Sequence, residues 1–205
     1  MNPKSNEEEH YYTKQPKSQS RLGLVSAYLR GHYFQFQTSS SVFSRERIDL
    51  GTRLLIEAMF LPETGQILDL GCGYGPIGIV AAALNPGLHV FMVDINKRAV
   101  WLAKENKNRI GVNNVEILHG DLYKPVENMK FDVILCNPPV SVGMKIVSQI
   151  VSEAPGHLRE SGLFQIVIRS RVGGRQLIAI MEKTFGNVEI IARKSGYRVL
   201  LSKKS

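Results

Sequence analysis

The sequence predicts an α/β fold built on a mostly parallel sheet with helices on both faces, and three observations lead there. From Gln66 onward, short apolar runs alternate with amphipathic ones. The apolar runs are hydrophobic at nearly every position rather than every second one, the pattern of strands buried on both sides. The chain has 205 residues, 43% of them hydrophobic, enough for one sizeable core and too short for a second full domain.

The elements follow in order. Residues 1–20 are polar, with Glu7-Glu8-Glu9 answered by Lys14 and Lys17, and are expected to be a flexible tail. Residues 21–205 are expected to form a single domain, with 21–64 as an extension of strand, loop and helix and 65–205 as the sheet core. "GHYFQFQTSSSVFS" alternates through His32, Phe34 and Phe36 before a serine-rich turn, which reads as a short strand and a loop. "IDLGTRLLIEAMFL" reads as a helix with Asp49 as N-cap and Leu54, Leu55, Ala58 and Met59 on one face. "QILDLG" is a strand, and "PIGIVAAALN" a helix whose Pro76 sits in the first turn, where its missing N–H has no intrahelical partner to lose. "HVFMVDI" is the next strand. "KRAVWLAKENKNRIG" is an amphipathic helix stopped by Gly111, with the lone tryptophan, Trp101, expected to be packed. The strands "VEILHGD" and "FDVILCN", a helix around "MKIVSQIVSEA", the strand "LFQIVIR" and the helix "GRQLIAIMEKTFG" come next. "NVEIIARKSGYRVLLSKK" closes the chain as a hairpin around "KSG" that adds one antiparallel strand to the sheet.

Composition narrows the function. No apolar run approaches the roughly 20 residues that span a bilayer, and the first twenty positions lack the apolar centre of a signal peptide, so a soluble, cytoplasmic protein without a membrane partner is expected. Cys72 and Cys136 both lie in apolar strand contexts and read as buried reduced thiols, as in a reducing compartment. The five histidines, at 10, 32, 89, 119 and 157, show no ligand spacing, so no metal site is expected. The net charge of +8 is unevenly spread. From Arg159 to the end, ten Lys or Arg face only Glu160, Glu182 and Glu189, which is +7 and leaves +1 for everything before. A polyanion such as RNA would explain this concentration.

In open parallel sheets the ligand lies beyond the carboxyl ends of the strands. The first strand ends in "DLGCGYGPIG", with Gly71, Gly73 and Gly75 providing positive φ and close backbone approach after the in-strand Asp69. The dinucleotide spacing G-x-G-x-x-G fails from Gly71, where the sixth position is Pro76, and fits from Gly73 to Gly78, so spacing alone does not choose a ligand. The next strand ends at Asp94, 19 residues after Gly75, where an acid can accept bonds from both ribose hydroxyls. The third ends at Asp121, placed to accept an adenine amino group. Asp69 beside the turn would repel a pyrophosphate and attract an ammonium. S-adenosylmethionine, a nucleoside with a zwitterionic tail, has those features.

"DLGCGYG", "VDIN", "GDLY" and "NPP", in that order, resemble the class I S-adenosylmethionine-dependent methyltransferases. "SVFSRERIDLGTRLL" and "GYRVLLSKK" narrow the likeness to the RsmC-like ribosomal RNA guanine-N2 methyltransferases and their single-domain archaeal relatives, over roughly residues 22–203. The resemblance implies a Rossmann-like, seven-stranded, mostly parallel sheet with an antiparallel last strand. It implies a cofactor set of Asp69, Gly71, Cys72, Gly73, Gly75, Asp94, Ile95, Asp121, Leu122 and Asn137, and a catalytic Asn137-Pro138-Pro139.

That tripeptide has a chemical reading. A ring-conjugated amine is a poor nucleophile because its lone pair is delocalised. The Asn137 amide oxygen and the Pro138 carbonyl can accept its N–H bonds and favour the pyramidal geometry of methyl transfer, while the prolines restrict the backbone. At the fourth motif position, related RNA, DNA and glutamine methyltransferases usually carry an aromatic residue that stacks the target, and this chain has Val140; Phe43 in the upstream loop is the expected substitute. Arg169 and Arg171, with Arg175, Arg193 and Arg198, are expected phosphate contacts. Methylation of a protein glutamine amide, or a silent module that binds cofactor and RNA, are the alternatives. Cys136, one residue before Asn137 on a strand, should point away from the pocket.

Overall fold

The computed structural model describes residues 22–39, 47–138 and 143–205. Phe43, Pro139 and Val140 lie outside them. β1 (Leu22–Leu29) and β2 (His32–Ser39) form an antiparallel ribbon, followed by α1 (Leu50–Ala58). The alternating series then runs β3 (Gly65–Leu70), α2 (Pro76–Leu84), β4 (Leu88–Asp94), α3 (Lys97–Ile110), β5 (Val115–His119), β6 (Phe131–Cys136), α4 (Gly143–His157), β7 (Leu158–Arg169), α5 (Gly174–Phe185), β8 (Glu189–Lys194) and β9 (Tyr197–Lys203).

The seven-stranded sheet has the order β5-β4-β3-β6-β7-β9-β8. Pairings from β5 through β7 are parallel, and β9 is antiparallel to both of its neighbours. This is the Rossmann-like arrangement expected, with its reversal of strand order between β3 and β6, where a ligand crevice opens in such sheets. One face packs against α1, α2 and α3 through residues such as Leu55, Ile79, Met92 and Leu102. The other packs against α4 and α5 through Phe131, Val151, Phe164 and Leu177.

Buried polar side chains attach the extension to the core. The Asn106 amide on α3 accepts from the Gln37 N–H at 2.6 Å and donates to the carbonyls of Gln37 and Tyr74 at 2.9 and 2.8 Å, which holds the ribbon against the glycine-rich turn. Gln165 on β7 exchanges two bonds with the backbone of Phe60, at 2.9 and 2.8 Å, and so fixes the exit of α1. Both amides are fully buried and each replaces backbone partners that no strand supplies.

Three elements depart from the sequence reading. β1 was not anticipated: its inward Val25, Ala27 and Leu29 pack with Phe34 and Phe36, but its outward Leu22, Leu24 and Tyr28 are apolar too, which hides the period of two. The buried side of α1 includes Ile56 as well as Leu55, while Leu54 and Ala58 are only partly covered. Trp101 is a correction. The buried stripe of α3 runs through Ala99, Leu102, Ala103 and Asn106, and Trp101 falls off it, 46% exposed.

Candidate active site

Gly71, Gly73 and Gly75 take φ values of +74°, +58° and +96°, so the turn after β3 is left-handed at alternate positions, as glycine alone adopts without strain. The turn is tied across to β4: the N–H groups of Gly71 and Cys72 donate to the Val93 carbonyl at 2.8 and 3.0 Å. Gly78 serves a different purpose. A Cβ there would stand 2.7 Å from Met92 and 3.1 Å from Asp69 Oδ2, so its absence lets α2 approach the carboxylate.

Asp69 is fully buried in β3. Its Oδ2 accepts from the Gly78 N–H at 2.8 Å, in the first turn of α2. Its Oδ1 is buried with no partner among the described residues, an arrangement that costs about 1–3 kcal/mol until a donor arrives. Burial pushes this carboxyl up to about 7; the Gly78 bond opposes the shift, and the nearby Asp94 charge adds to it. Asp94, at the tip of β4, accepts from the N–H groups of Gly73 and Asn96, both at 2.8 Å, one on each oxygen. The acid is thereby held at the turn, its carboxylate fixed at the tip of the strand.

Asp121 is half exposed and pairs with Lys124 at 2.7 Å. Its neighbour Leu122 is partly buried at φ +50°. The Ile95 carbonyl lies 3.0 Å from His119 Nε2, linking the tips of β4 and β5. The Cys72 thiol lies 3.6 Å from the Gly73 carbonyl, and burial raises its pKa well above the ordinary thiol value. Cys136 is buried in the core of the α4/α5 face, on the opposite side from Asn137, and burial likewise raises its pKa. Among the described residues no cluster of His, Cys, Asp or Glu could hold a metal ion. No helix among them is long and apolar enough to cross a membrane.

Asn137 leaves β6 facing α1, and its amide nitrogen is gripped there. Nδ2 donates to Thr52 Oγ1 at 2.7 Å and to Asp49 Oδ2 at 3.2 Å. The same Asp49 oxygen accepts from the Thr52 N–H at 3.0 Å, the N-cap bond of α1. Asp49 was anticipated as a cap, but its hold on Asn137 was not, nor was that of Thr52; the partners are 85 to 88 residues apart and no local pattern announces them. A carboxylate accepts only, so it faces the NH₂ end of the amide and leaves the carbonyl oxygen as the open acceptor. Thr52→Val is expected to lower stability by about 1 kcal/mol in urea unfolding by removing one of the two acceptors of that NH₂ group, and Thr52→Ser to restore it. An unchanged midpoint in Thr52→Val would show that Asn137 is held by other means.

The expected phosphate contacts also converge. Arg169 ends β7 and lies opposite Tyr197 in register, Arg198 lies opposite Arg193, and Arg171 and Arg175 follow in the turn and first turn of α5. None of these five forms an ion pair among the described residues. They fringe the carboxyl end of β7, one strand beyond Asn137.

Comparison with known proteins identifies the family. The profile of the methyltransferase small domain family matches residues 33–201. A Bacillus subtilis protein described as the uncharacterized protein YbxB is 40% identical over 96% of this chain and 98% of its own length. Ribosomal RNA small subunit methyltransferase C of Aeromonas hydrophila is 34% identical over 79% of this chain and 47% of its own. This chain therefore spans about half the length of the methyltransferase C relatives it matches. Among solved structures, the 16S ribosomal RNA N2 guanine methyltransferase RsmC of Thermus thermophilus, in complex with AdoMet and guanosine, superposes with a TM-score of 0.81 at 26% identity, covering 93% of this chain and 52% of that one. A methyltransferase from Pyrococcus furiosus, at TM-score 0.62 and 22% identity, shares the fold. With the family profile covering most of the chain and the fold superposing on an RsmC, the chain belongs to the methyltransferase small domain family, with the class I S-adenosylmethionine-dependent fold of its RsmC-like members.

Proposed function

We propose that this chain is an S-adenosylmethionine-dependent N-methyltransferase acting on an exocyclic amine of RNA, guanine N2 of ribosomal RNA first among the candidates. The observation that carries the reading is the Asn137 amide, held at its nitrogen by Asp49 and Thr52 so that its oxygen is presented at the strand tip next to the glycine turn.

The residues fit the cofactor. Asp69 Oδ1, buried without a partner among the described residues, suits an ammonium, met directly or through a water, and the Asp94 carboxylate, fixed at the tip of β4 beside the glycine turn, suits a ribose diol. Asp121 reaches the adenine edge by exchanging Lys124, an exposed partner whose loss costs little. When bound, S-adenosylmethionine supplies an electrophilic methyl carbon on a good leaving group. The chain's own work is to place the amine. Asn137 Oδ1 and the Pro138 carbonyl accept its two N–H bonds, turning the nitrogen lone pair toward the carbon and stabilising the positive charge that develops on nitrogen. No strong base is needed, since the amine's surplus proton is acidic once the new bond has formed and leaves to water.

RNA is favoured over a protein glutamine by the arginines around the strand tip, which form no ion pair among the described residues, since counterion release makes such fringes effective on phosphates. Incubation with labelled donor and separate pools of ribosomal RNA, transfer RNA and protein is expected to label ribosomal RNA at guanine N2, identified by digestion and mass spectrometry. Replacing Arg193 and Arg198 together by alanine should raise KM for RNA and flatten its salt dependence by about two in the log–log slope, leaving S-adenosylhomocysteine affinity intact. Label in protein alone would reject the RNA reading, and cofactor binding without transfer to any pool would reject catalysis.

A further inference from the structure

We infer that Tyr197, in the last hairpin, supplies the aromatic wall of the pocket that receives the target base. The inference rests on the reading of the chain as an RNA base methyltransferase. β6 stands between β3, which carries the glycine turn, and β7; on the β7 side of Asn137 lies a pocket of about 110 Å³. Asn137, Pro138, Met144, Arg169, Val172 and Tyr197 are among its walls. So small a slot, against about 300–1,000 Å³ for ordinary ligand pockets, suits one flat group inserted beside the amide rather than a flexible chain. Tyr197 is the one aromatic side chain among the described residues that line it.

The ring is well supported for this task. A Cβ on Gly51 would lie 3.0 Å from its Cδ1 and Cε1, so the first turn of α1 backs the ring closely. The wall around it is pinned as well: the Ser170 N–H donates to the Gly196 carbonyl at 2.7 Å, and the Val172 N–H to the Arg169 carbonyl at 2.9 Å. Val140 removes the aromatic group from the fourth motif position, and a base between aliphatic walls would lose its stacking partner. Tyr197 returns one from 57 residues further along the chain, backed by the same helix whose cap holds Asn137. Arg169, its partner across the β7–β9 pairing, places a cation on the rim where the phosphate of an inserted nucleotide would lie.

Steady-state kinetics on the RNA that the parent enzyme methylates test this, together with S-adenosylhomocysteine calorimetry and thermal unfolding. Tyr197→Leu is expected to lower kcat/KM for RNA about 10- to 100-fold, the range for a lost base–aromatic stack. Cofactor affinity should stay at the parent value, the unfolding midpoint should fall modestly as the ring's packing against α1 is lost, and Tyr197→Phe, which keeps the ring, should recover most of the rate. Val172→Trp, which narrows the slot without altering Tyr197, should produce a comparable loss. The proposal is overturned if Tyr197→Leu keeps the parent kcat/KM, if Tyr197→Phe loses as much as Tyr197→Leu, or if Phe43→Leu alone reproduces the loss. A parent enzyme that methylates no RNA rejects the functional reading itself, whereas an active parent with normal variants rejects only the pocket.

Discussion

Asn137→Ala is expected to reduce methyl transfer about 10²- to 10³-fold, the usual consequence of removing one preorganised acceptor or donor from a site of developing charge. S-adenosylhomocysteine affinity should change little, because the groups proposed for the cofactor lie on β3, β4 and β5 and keep their own bonds: Asp69 to Gly78, Asp94 to Gly73 and Asn96. The substitution also frees Asp49 and Thr52, which still cap α1 through their own 3.0 Å bond, so the helix end should survive. Single-turnover rates with cofactor binding measured in parallel separate the two effects. If transfer and binding fall together, Asn137 holds the crevice open rather than orienting the amine. Asn137→Asp sharpens the test, since it sets a second carboxyl against Asp49 and removes both N–H bonds. Two carboxylates at that separation cannot both ionise freely, so the variant's activity should rise as pH falls and one of them takes up a proton.

The affinity for S-adenosylhomocysteine should strengthen as pH rises from about 5 to about 7, by up to about tenfold per unit, and level off above. Without ligand, burial holds the Asp69 carboxyl protonated up to about 7, and an ammonium beside Oδ1 would favour the charged form, so binding expels a proton below that pH. The ligand-free protein should behave in the opposite sense. A carboxyl of ordinary pKa about 3.9 in the unfolded chain and about 7 in the fold takes up a proton on folding between those values. Its contribution to stability is complete below about pH 4 and is lost as pH rises through about 7. Asp69→Asn should flatten both profiles, measured by calorimetry and by urea unfolding across the range. An affinity that does not vary over this range in the parent would show that Asp69 does not meet the ammonium.

The elements most readable in the sequence were those made by neighbours in the chain. Gly111 ends α3 in the left-handed conformation, Pro76 opens α2, and Asp49 caps α1 through a residue three positions on. Each is an interaction within one helical turn, so residue type and spacing suffice. The same locality made the glycine turn and the acids at the strand tips visible, because every strand end is marked by its own few residues. Where two signals overlapped, the reading failed. β1 is apolar on both sides, so its alternation vanished, and Trp101 lies one position off the buried stripe of α3 although its helix is amphipathic as expected.

By itself the sequence determined the alternating α/β order, the strand tips that carry Asp69, Asp94, Asp121 and Asn137, and the excess of positive charge near the carboxyl end. Only the tertiary structure decided which end of the Asn137 amide is gripped, that one Asp69 oxygen has no partner among the described residues, and that Tyr197 stands beside the strand tip. Local patterns record caps, turns and periodicity because those bonds close within a few residues. A carboxylate that orients an amide 88 positions away has no such record, since the pair exists only after folding has brought α1 to the carboxyl end of β6.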